Sequence, residues 1–309
     1  MQNDKPQVGI ILVNWNGKEL LNFCIESLKG LIHTNFNITI YVVDNNSNDG
    51  SNVMVEEMYP DVVLLKQLEN TGFAEGNNIG IRKALYDGMD FLWLLNNDTT
   101  VDSMSLQKLF DAYEKYGKGI YGSKIYFSKG YEFHKDKYSS HELGNVIWYA
   151  GGIIDWKNMY ASHRGVDEVD SHQYDSDSKT DFITGCSLFT SKSVFNVLGM
   201  FDSRYYLYLE DVDFCIRAVN MKIPLWYIPS SRVMHKNSGS TAKPGHSLHE
   251  YYFTRNRLLI GMKYAKVRTK FALLREALRF LIAGSPVRKM AVRDYFMARF
   301  GKRYEWKNI

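Results

Sequence analysis

Short apolar runs that alternate with helical segments are the feature of this chain that most limits its fold. Four such runs lie in the first hundred positions, at residues 8–13, 38–43, 62–65 and 91–95, and the first two are rich in β-branched residues. Residues 18–31 and 76–85 lie between these runs and carry apolar side chains at helical spacing. Strands that alternate with helices predict a mostly parallel sheet joined by right-handed crossovers. We therefore expect an α/β fold.

The fourth predicted strand runs directly into Asn96, Asn97 and Asp98. A continuous apolar run that stops at polar residues is typical of a strand covered on both faces. In open α/β sheets, ligands bind outside the carboxyl ends of such strands. Two interpretations of Asp98 follow: it holds a divalent cation against a phosphate group, or it caps the next helix.

The phosphate-binding loops of the common nucleotide enzymes are absent from this sequence. Residues 14–17 follow the first predicted strand and read Asn-Trp-Asn-Gly, which lacks the GxGxxG pattern of NAD and FAD enzymes. No GxxxxGK[ST] loop occurs either, which disfavours a P-loop kinase or NTPase. The phosphates of a bound nucleotide therefore need another partner, and we expect a metal ion at Asp98.

The amino-acid composition indicates the cellular compartment of the protein and the kind of partner that it binds. The three cysteines are widely spaced, which indicates a reducing compartment and disfavours a zinc site. There is no secretory pattern and no apolar run of roughly 18 residues, so we expect a cytoplasmic protein. Residues 263–309 carry thirteen basic and three acidic side chains, a net charge of +10, although the whole chain has +4. A basic tail favours contact with anionic lipid headgroups or another polyanion.

Three carboxylates, Glu210, Asp211 and Asp213, precede a helix predicted at residues 214–221. In one interpretation, Asp211 only caps this helix, because acidic residues stabilise the first turn of a helix by interacting with its dipole. The other interpretation uses the tyrosine-rich segment at 205–208 as a wall for a sugar ring. A carboxylate beside such a wall can deprotonate a hydroxyl group as a general base.

His235 follows the apolar segment 225–229, at a junction between a strand and a loop. A neutral imidazole at such a junction is either a metal ligand or a satisfied structural residue. The other histidines show no ligand spacing among themselves.

Five segments, taken in order, resemble a known family. They are residues 14–16, 43–50, 70–78, 95–98 and 208–213. They look like the motifs of inverting glycosyltransferases of family 2, and are most similar to the bacterial rhamnosyltransferase-like branch. The resemblance covers about residues 8–262 and implies the GT-A fold. It implies a Rossmann-like nucleotide-sugar half at about 1–125 and an acceptor half at 126–262. The separate basic, amphipathic, helical tail predicted at 263–309 lies outside the resemblance.

The resemblance also implies a role for individual residues on the donor side. Asp44 would bind a pyrimidine base, and the loop that contains Asn14 and Asn16 would line the base and ribose. The residues that would approach the ribose, the donor sugar or its diphosphate are Gly72, Phe73, Asn77, Asn96 and Asn97. Asn96 stands where the family's DxD motif has its first aspartate, so this position adds no negative charge for a metal ion.

On the metal and acceptor side, Asp98 matches the last position of the DxD motif, and His235 matches a second metal ligand of part of the family. These two residues would bind Mg²⁺ or Mn²⁺ with the donor diphosphate. Asp211 matches the catalytic base, with Glu210 and Tyr208 on the acceptor side. In a neighbouring helix, Arg255 and Arg257 are expected either to contact phosphate or to lie on a solvated face.

The resemblance implies metal-dependent, inverting transfer of a sugar to a hydroxyl group of a glycan or lipid-linked acceptor, in the assembly of bacterial surface polysaccharide. The first expectation for the donor is dTDP-L-rhamnose. The alternatives are a transferase that uses UDP-galactofuranose, UDP-galactose or UDP-N-acetylglucosamine, and a non-catalytic module that binds nucleotide sugars or glycans. No nucleic-acid-binding module is recognised.

The tail contains a helical stripe of apolar residues, formed by Val267, Phe271, Leu274, Leu278 and Leu281 or Ile282. Basic residues fall largely elsewhere around the predicted helix. Two interpretations remain: an interfacial helix that lies on the inner face of the cell membrane as a peripheral contact, or packing against the catalytic body or a partner in a homodimer.

Overall fold

The computed structural model describes residues 5–236 and 247–303, and within them helices pack against a ten-stranded sheet. The strands are β1 (Gln7–Asn14), β2 (Asn37–Asp44), β3 (Val63–Lys66), β4 (Phe91–Asn96), β5 (Thr99–Val101), β6 (Ile120–Phe127), β7 (Ile147–Tyr149), β8 (Gly152–Asp155), β9 (Tyr160–His163), β10 (Ser178–Lys179), β11 (Ser187–Ser191) and β12 (Leu225–His235). The helices are α1 (Lys18–Lys29), α2 (Ser51–Met58), α3 (Gly72–Tyr86), α4 (Ser105–Tyr116), α5 (Lys192–Leu198), α6 (Glu210–Asn220), α7 (Ser247–Tyr264), α8 (Val267–Ala283) and α9 (Pro286–Phe296).

The strand order of the large sheet is β10-β12-β6-β11-β4-β1-β2-β3, with β5 paired to β12 and β7 paired to β6. Strands β3, β2, β1 and β4 are all parallel to their neighbours in this series. Strand β11 lies antiparallel between β4 and β6. Strands β8 and β9 form a separate hairpin. The predicted parallel sheet is therefore confirmed for the first half of the chain, and the second half makes the sheet mixed.

The parallel half is fixed by packing on both of its faces. Residues of β1 and β4 are buried almost throughout, as their continuous apolar runs predict. Helix α3 approaches β1 so closely that a Cβ atom at Gly80 would lie 2.5 Å from Ile11 Cγ2. Trp93 is fully buried in β4 and donates its indole N–H to Ser187 Oγ of β11, at 3.0 Å. These contacts hold the carboxyl ends of β1, β2 and β4 in fixed positions.

Two helices begin earlier than the sequence predicts. Helix α3 starts at Gly72 rather than at residue 76, and α6 starts at Glu210 rather than at residue 214. As a result, the three carboxylates expected before a helix lie in the first turn of α6.

The predicted tail packs on the rest of the chain. The predicted division between residues 262 and 263 falls inside α7. Leu273 and Ala277 of α8 are buried, whereas the apolar side chains on its opposite face are exposed. Residues 304–309 of the predicted tail lie outside the described residues. Among the described helices, none is long and apolar enough to cross a membrane.

Candidate active site

A buried network of polar side chains joins the carboxyl ends of three parallel strands. Asn14 at the end of β1 donates to Asp44 Oδ1 at the end of β2, at 3.2 Å, and Asn97 after β4 donates to Asn14 Oδ1 at 2.7 Å. The other Asp44 oxygen accepts the backbone N–H of Ser47 at 3.0 Å. Asn16 has a left-handed φ of 51° and accepts the N–H of Asn48. The network fixes the two loops in which the sequence predicts a nucleotide-binding crevice.

The start of α3 is hydrogen-bonded to a loop from the second half of the chain. Gly72 has a φ of +80°, and a Cβ atom at this position would lie 2.6 Å from the carbonyl oxygen of Tyr206. The N–H groups of Phe73 and Ala74 both donate to that carbonyl. Asn77 is buried and donates to the carbonyl of Phe73, at 2.9 Å. Gly72 therefore packs against Tyr206, and its predicted approach to a donor sugar stays a prediction.

Asp98 and His235 are brought together by pairing between β5 and β12. In this pairing His235 lies opposite Thr99, the residue after Asp98. The His235 Nε2 atom lies 3.1 Å from Asp98 Oδ1, and both side chains are buried. Two ligands of one octahedral Mg²⁺, each about 2.1 Å from the ion, are separated by about 3 Å. The two residues that the resemblance implies as metal ligands thus have the spacing that a shared cation requires.

The remaining donor atoms also fit a cation that is completed by its substrate. Among the described residues, no group of three His, Cys, Asp or Glu side chains has the arrangement of a metal site. Asn96 Oδ1 and His235 Nδ1 are buried and have no hydrogen-bond partner within the described part of the chain. A divalent cation held by one carboxylate and one imidazole would therefore take its other ligands from substrate phosphates, solvent or the amide oxygen of Asn96.

Glu210 and Asp211 form an adjacent pair of carboxyl groups at the start of α6. Asp211 Oδ2 accepts the N–H of Gly185 at 2.8 Å, and Oδ1 accepts the N–H of Val212 at 2.8 Å. Burial raises the pKa of Asp211, and these hydrogen bonds oppose the rise. Burial, together with the charge of Asp211, raises the pKa of Glu210 well above its usual range. The pKa of Glu210 is raised further than that of Asp211, so Asp211 is the first of the pair to ionise as the pH rises.

The third carboxylate of the cluster is neutralised by other side chains. Asp213 is fully buried and accepts hydrogen bonds from Arg217 at 2.9 Å, from Lys263 at 2.7 Å and from Tyr264 at 2.9 Å. Two cations and the phenols of Tyr264 and Tyr205 compensate its charge. Asp213 thus joins α6 to the end of α7.

The segment before this pair, residues 203–209, has an unusual backbone conformation. Tyr206, Tyr208 and Leu209 have φ values of 64°, 69° and 70°, a left-handed region that costs non-glycine residues about 1 kcal/mol or more each. Such a conformation persists only where the surrounding structure over-determines it. We call residues 203–209 the left-handed loop.

Helix α7 supplies the groups that hold the left-handed loop. The Asn256 amide donates to the carbonyls of Tyr205, Leu207 and Tyr208, at 3.0, 2.8 and 2.8 Å. The Arg255 guanidinium donates to the carbonyls of Arg204 and Tyr205, at 3.0 and 2.8 Å. Both side chains are fully buried. The solvated face and the phosphate contact expected for Arg255 are therefore both wrong, because backbone carbonyls surround its charge.

A cleft of about 310 Å³ opens in front of Asp211. Six of the predicted site residues line it, namely Phe73, Asn96, Tyr208, Glu210, Asp211 and His235. The other predicted residues lie in the network at the strand ends, in α3 or behind the cleft. The structure therefore brings His235 and the base candidate Asp211 to one cavity, and Asp98 lies beside it in contact with His235.

Sequence reasoning missed part of the lining of this cleft, including Trp148 and His163. The Trp148 ring lies edge-on to the rings of both His163 and His235, with centroids 4.3 and 4.6 Å apart. Burial lowers the pKa of His163 to about 4. Its Nδ1 lies 3.1 Å from the carbonyl of Trp148, so we assign the hydrogen to Nδ1, and Nε2 is an acceptor. Neither residue belongs to a motif, and no sequence signal marks them.

The chain is similar to proteins of a known family. The family model described as Glycosyl transferase family 2 matches residues 9–194. The chain belongs to glycosyl transferase family 2. It is therefore an enzyme that transfers sugars, and the match ends before the Glu210–Asp211 pair.

Named relatives of this family 2 glycosyltransferase support the rhamnosyltransferase-like branch. It is 25% identical over 225 residues to an N-acetylglucosaminyl-diphospho-decaprenol L-rhamnosyltransferase of Mycobacterium tuberculosis, which covers 67% of this chain and 69% of the relative. It is 24% identical over 264 residues to the dTDP-rhamnosyl transferase RfbF of Shigella flexneri. This match covers 82% of this chain and 79% of RfbF. A hexosyltransferase of low-salt glycan biosynthesis, Agl10 of Haloferax volcanii, is 22% identical over 253 residues. This match covers 82% of this chain and 74% of Agl10.

Solved structures confirm the GT-A fold of the family 2 glycosyltransferase. GalNAc-T7, solved with UDP, GalNAc and Mn²⁺, has a TM-score of 0.66 at 15% identity; the match covers all of this chain but only 57% of GalNAc-T7. The mannosyltransferase PcManGT from Pyrobaculum calidifontis, solved with GDP-Man and Mn²⁺, has a TM-score of 0.55 at 14% identity. This match covers 96% of this chain and 75% of PcManGT. At these identities the likeness concerns the fold.

The hydrogen bonds from α7 to the left-handed loop give a first prediction. Asn256→Ala leaves the carbonyls of Leu207 and Tyr208 without the donor that Asn256 supplies, whereas the carbonyl of Tyr205 keeps its bond from Arg255. Each unsatisfied group costs about 1–3 kcal/mol. We expect the free energy of unfolding to fall by about 2 kcal/mol or more in urea titrations. Turnover of the folded variant should also fall, because the loop leads directly into Asp211. Asn220→Ala, an exposed asparagine at the end of α6, is the control. Full turnover by folded Asn256→Ala would show that the loop does not position Asp211.

Proposed function

We propose that this family 2 glycosyltransferase is a metal-dependent, inverting rhamnosyltransferase. It transfers L-rhamnose from dTDP-rhamnose to a hydroxyl group of a lipid-linked glycan, in the assembly of surface polysaccharide at the inner face of the cell membrane. The observation that carries the proposal is the shared cleft, which brings His235, with its partner Asp98, to the same cavity as Asp211. The names of the relatives support the donor and acceptor classes.

In the proposed reaction, Asp211 is the general base. Its carboxylate is fixed by two backbone N–H groups and faces the cleft, so that it can accept the proton of an acceptor hydroxyl. The hydroxyl oxygen attacks the anomeric carbon from the face opposite the departing nucleoside diphosphate, which inverts that carbon. Glu210, which keeps its proton, supplies a neutral neighbour beside Asp211.

On the donor side, Asp98 and His235 would hold Mg²⁺ or Mn²⁺ against the diphosphate. When bound, this cation offsets the negative charge that develops on the leaving group. Both structural neighbours were solved with Mn²⁺ and with a nucleotide or a nucleotide sugar, which supports a divalent cation here. The network of Asn14, Asp44 and Asn97 would provide the rigid edge on which the nucleoside lies.

The outer face of α8 supports the proposed contact with the membrane. Four large apolar side chains on this face are widely exposed: Val267 (69%), Phe271 (69%), Leu278 (57%) and Ile282 (80%). At 100° per residue, Arg268, Arg275 and Arg279 form a parallel row directly beside them. An apolar ridge flanked by arginines is typical of a helix that lies in a bilayer interface with anionic headgroups.

A kinetic prediction follows from the carboxyl pair. Asp211→Asn should reduce turnover by roughly 10² to 10⁴-fold, as expected when a general base is lost, and should leave the affinity for dTDP-rhamnose nearly unchanged. Because burial raises the pKa of Asp211, wild-type turnover should rise with pH through a value above that of an ordinary aspartate, as the base loses its proton. Glu210→Gln replaces one neutral group by another and should keep turnover within about threefold. Asp211→Asn turnover close to wild type would refute the assignment.

A binding prediction concerns the metal ligands and the donor. In thermal-shift assays, dTDP-rhamnose should stabilise the wild type more with Mn²⁺ than with EDTA, because the cation joins the protein to the diphosphate. Asp98→Ala and His235→Ala should lose this difference, whereas Asp61→Ala, an exposed aspartate, should keep it. The same panel includes UDP-galactofuranose, UDP-galactose and UDP-N-acetylglucosamine. Stronger stabilisation by one of these would transfer the donor assignment to that sugar, and no stabilisation by any would reject the proposed activity.

A flotation prediction addresses the membrane contact. The wild type should float with vesicles that contain phosphatidylglycerol, and high salt should weaken this binding because it screens the arginine row. Phe271→Glu combined with Ile282→Glu should reduce the floated fraction at least tenfold. A matched control is Val53→Glu with Met58→Glu, two exposed apolar residues of α2. Equal loss in both double variants, or no flotation of the wild type, would reject the contact.

A further inference from the structure

A continuous row of aromatic rings leads out of the cleft. Tyr208, two residues before Glu210, lies edge-on to His249, with ring centroids 5.0 Å apart. His249 stacks on Phe253 at 5.3 Å, and Phe253 stacks on Tyr160 of the β8–β9 hairpin at 6.0 Å. Burial lowers the pKa of His249, which favours its neutral form. We call these four rings the aromatic track; it joins the surroundings of Asp211 to the surface of α8.

The cavities of the molecule follow the aromatic track. A second cavity, of about 450 Å³, shares His249 and Phe253 with the cleft and extends to Tyr160 and Leu273. A third cavity, of about 300 Å³, shares Tyr160 and Leu273 with the second and opens between α8 and the β8–β9 hairpin. The three cavities therefore adjoin one another from Asp211 to α8.

The third cavity is strongly basic. Lys157, Arg275 and Arg279 line it, are exposed, and form no ion pair with any residue in the described ranges. Arg257 also lines it, but its charge is used within the protein, because it pairs with Glu276 at 2.8 Å and donates to the carbonyl of Asn158. Three uncompensated cations around one cavity are complementary to a multiply charged anion. We call Lys157, Arg275 and Arg279 the basic pocket.

The position of the basic pocket indicates which anion it would hold. It lies at the far end of the aromatic track from Asp211 and next to the exposed apolar ridge of α8. A nucleotide donor would lie on the other side, at the strand ends and Asp98. The anion in the basic pocket therefore belongs to a molecule that reaches Asp211 along aromatic surface and continues into apolar surroundings.

We propose that the aromatic track and the basic pocket bind the part of the acceptor that lies beyond its reacting hydroxyl group. Sugar rings of the acceptor pack along the ring edges of the track, because the rings of His249, Phe253 and Tyr160 stack on one another. Lys157, Arg275 and Arg279 hold the diphosphate that joins the glycan to its lipid. The lipid chain then leaves along the apolar ridge of α8. This inference rests on the proposed function for the identity of the acceptor, and it adds the residues that select a diphosphate-linked one.

Binding of farnesyl diphosphate, a short isoprenoid diphosphate, tests the basic pocket without turnover. Calorimetry in EDTA keeps the diphosphate from binding through a metal ion at Asp98. The wild type should bind with a micromolar Kd. Arg275→Gln combined with Arg279→Gln should weaken binding at least tenfold, because two charge-assisted contacts to phosphate are lost. Tyr160→Ala should weaken it several-fold, and Tyr86→Ala, an exposed tyrosine of α3, should not.

The matched control for the basic pocket lies on the same helix. Arg268 belongs to the same exposed arginine row of α8 but does not line the third cavity. Arg268→Gln should leave the Kd within twofold of wild type. Farnesol, which lacks the diphosphate, should bind equally weakly to the wild type and to the double variant.

Three results would overturn the proposal. These are no binding of farnesyl diphosphate below 1 mM, unchanged binding by the double variant, and equal loss in Arg268→Gln, which would indicate attraction to the helix surface rather than to the pocket. Failure here is separable from failure of the proposed function. If farnesyl diphosphate does not bind but Mn²⁺-dependent stabilisation by a nucleotide sugar is observed, only the acceptor site is rejected. The reverse result would reject the proposed transferase activity and leave the binding of an isoprenoid diphosphate standing.

Discussion

Five consecutive backbone carbonyls, those of residues 204–208, are held by donors from two distant helices. Arg255 and Asn256 of α7 bind four of them, and the N–H groups at the start of α3 bind the carbonyl of Tyr206. These hydrogen bonds help to offset the cost of three left-handed residues in one short segment. Because this segment leads into Glu210 and Asp211, the orientation of the carboxyl pair depends on α7 and α3. The C-terminal helices are thus part of the site's framework.

The same framework gives three nearby carboxylates three different electrostatic states. The charge of Asp213 is compensated by Arg217 and Lys263, whereas burial beside Asp211 raises the pKa of Glu210 well above its usual range. Asp211 lies between these extremes, because burial raises its pKa and two backbone N–H groups oppose the rise. Of the two carboxyl groups that line the cleft, Asp211 is therefore the one that ionises first, as the proposed general base requires.

The sequence predicted the parallel strands well, because continuous apolar runs specify strands that are covered on both faces. It predicted the starts of α3 and α6 less well, four residues too late in each case. Gly72 begins α3 because its left-handed backbone packs against Tyr206, more than a hundred residues later, and no local pattern contains that contact. Arg255 was misjudged for the same reason: an arginine in a helical pattern suggests solvent, and only the left-handed loop explains its burial.

The sequence by itself determined which residues end the parallel strands. Strand period and chain order place Asn14, Asp44 and the segment Asn96–Asp98 at one edge of the sheet, whatever the rest of the chain does. Only the tertiary structure decided what meets that edge. His235 reaches Asp98 through the pairing of β5 with β12, and the aromatic track draws its rings from the left-handed loop, the β8–β9 hairpin and α7. These contacts depend on how segments that are distant in the sequence pack together, and a local sequence pattern carries no information about that packing.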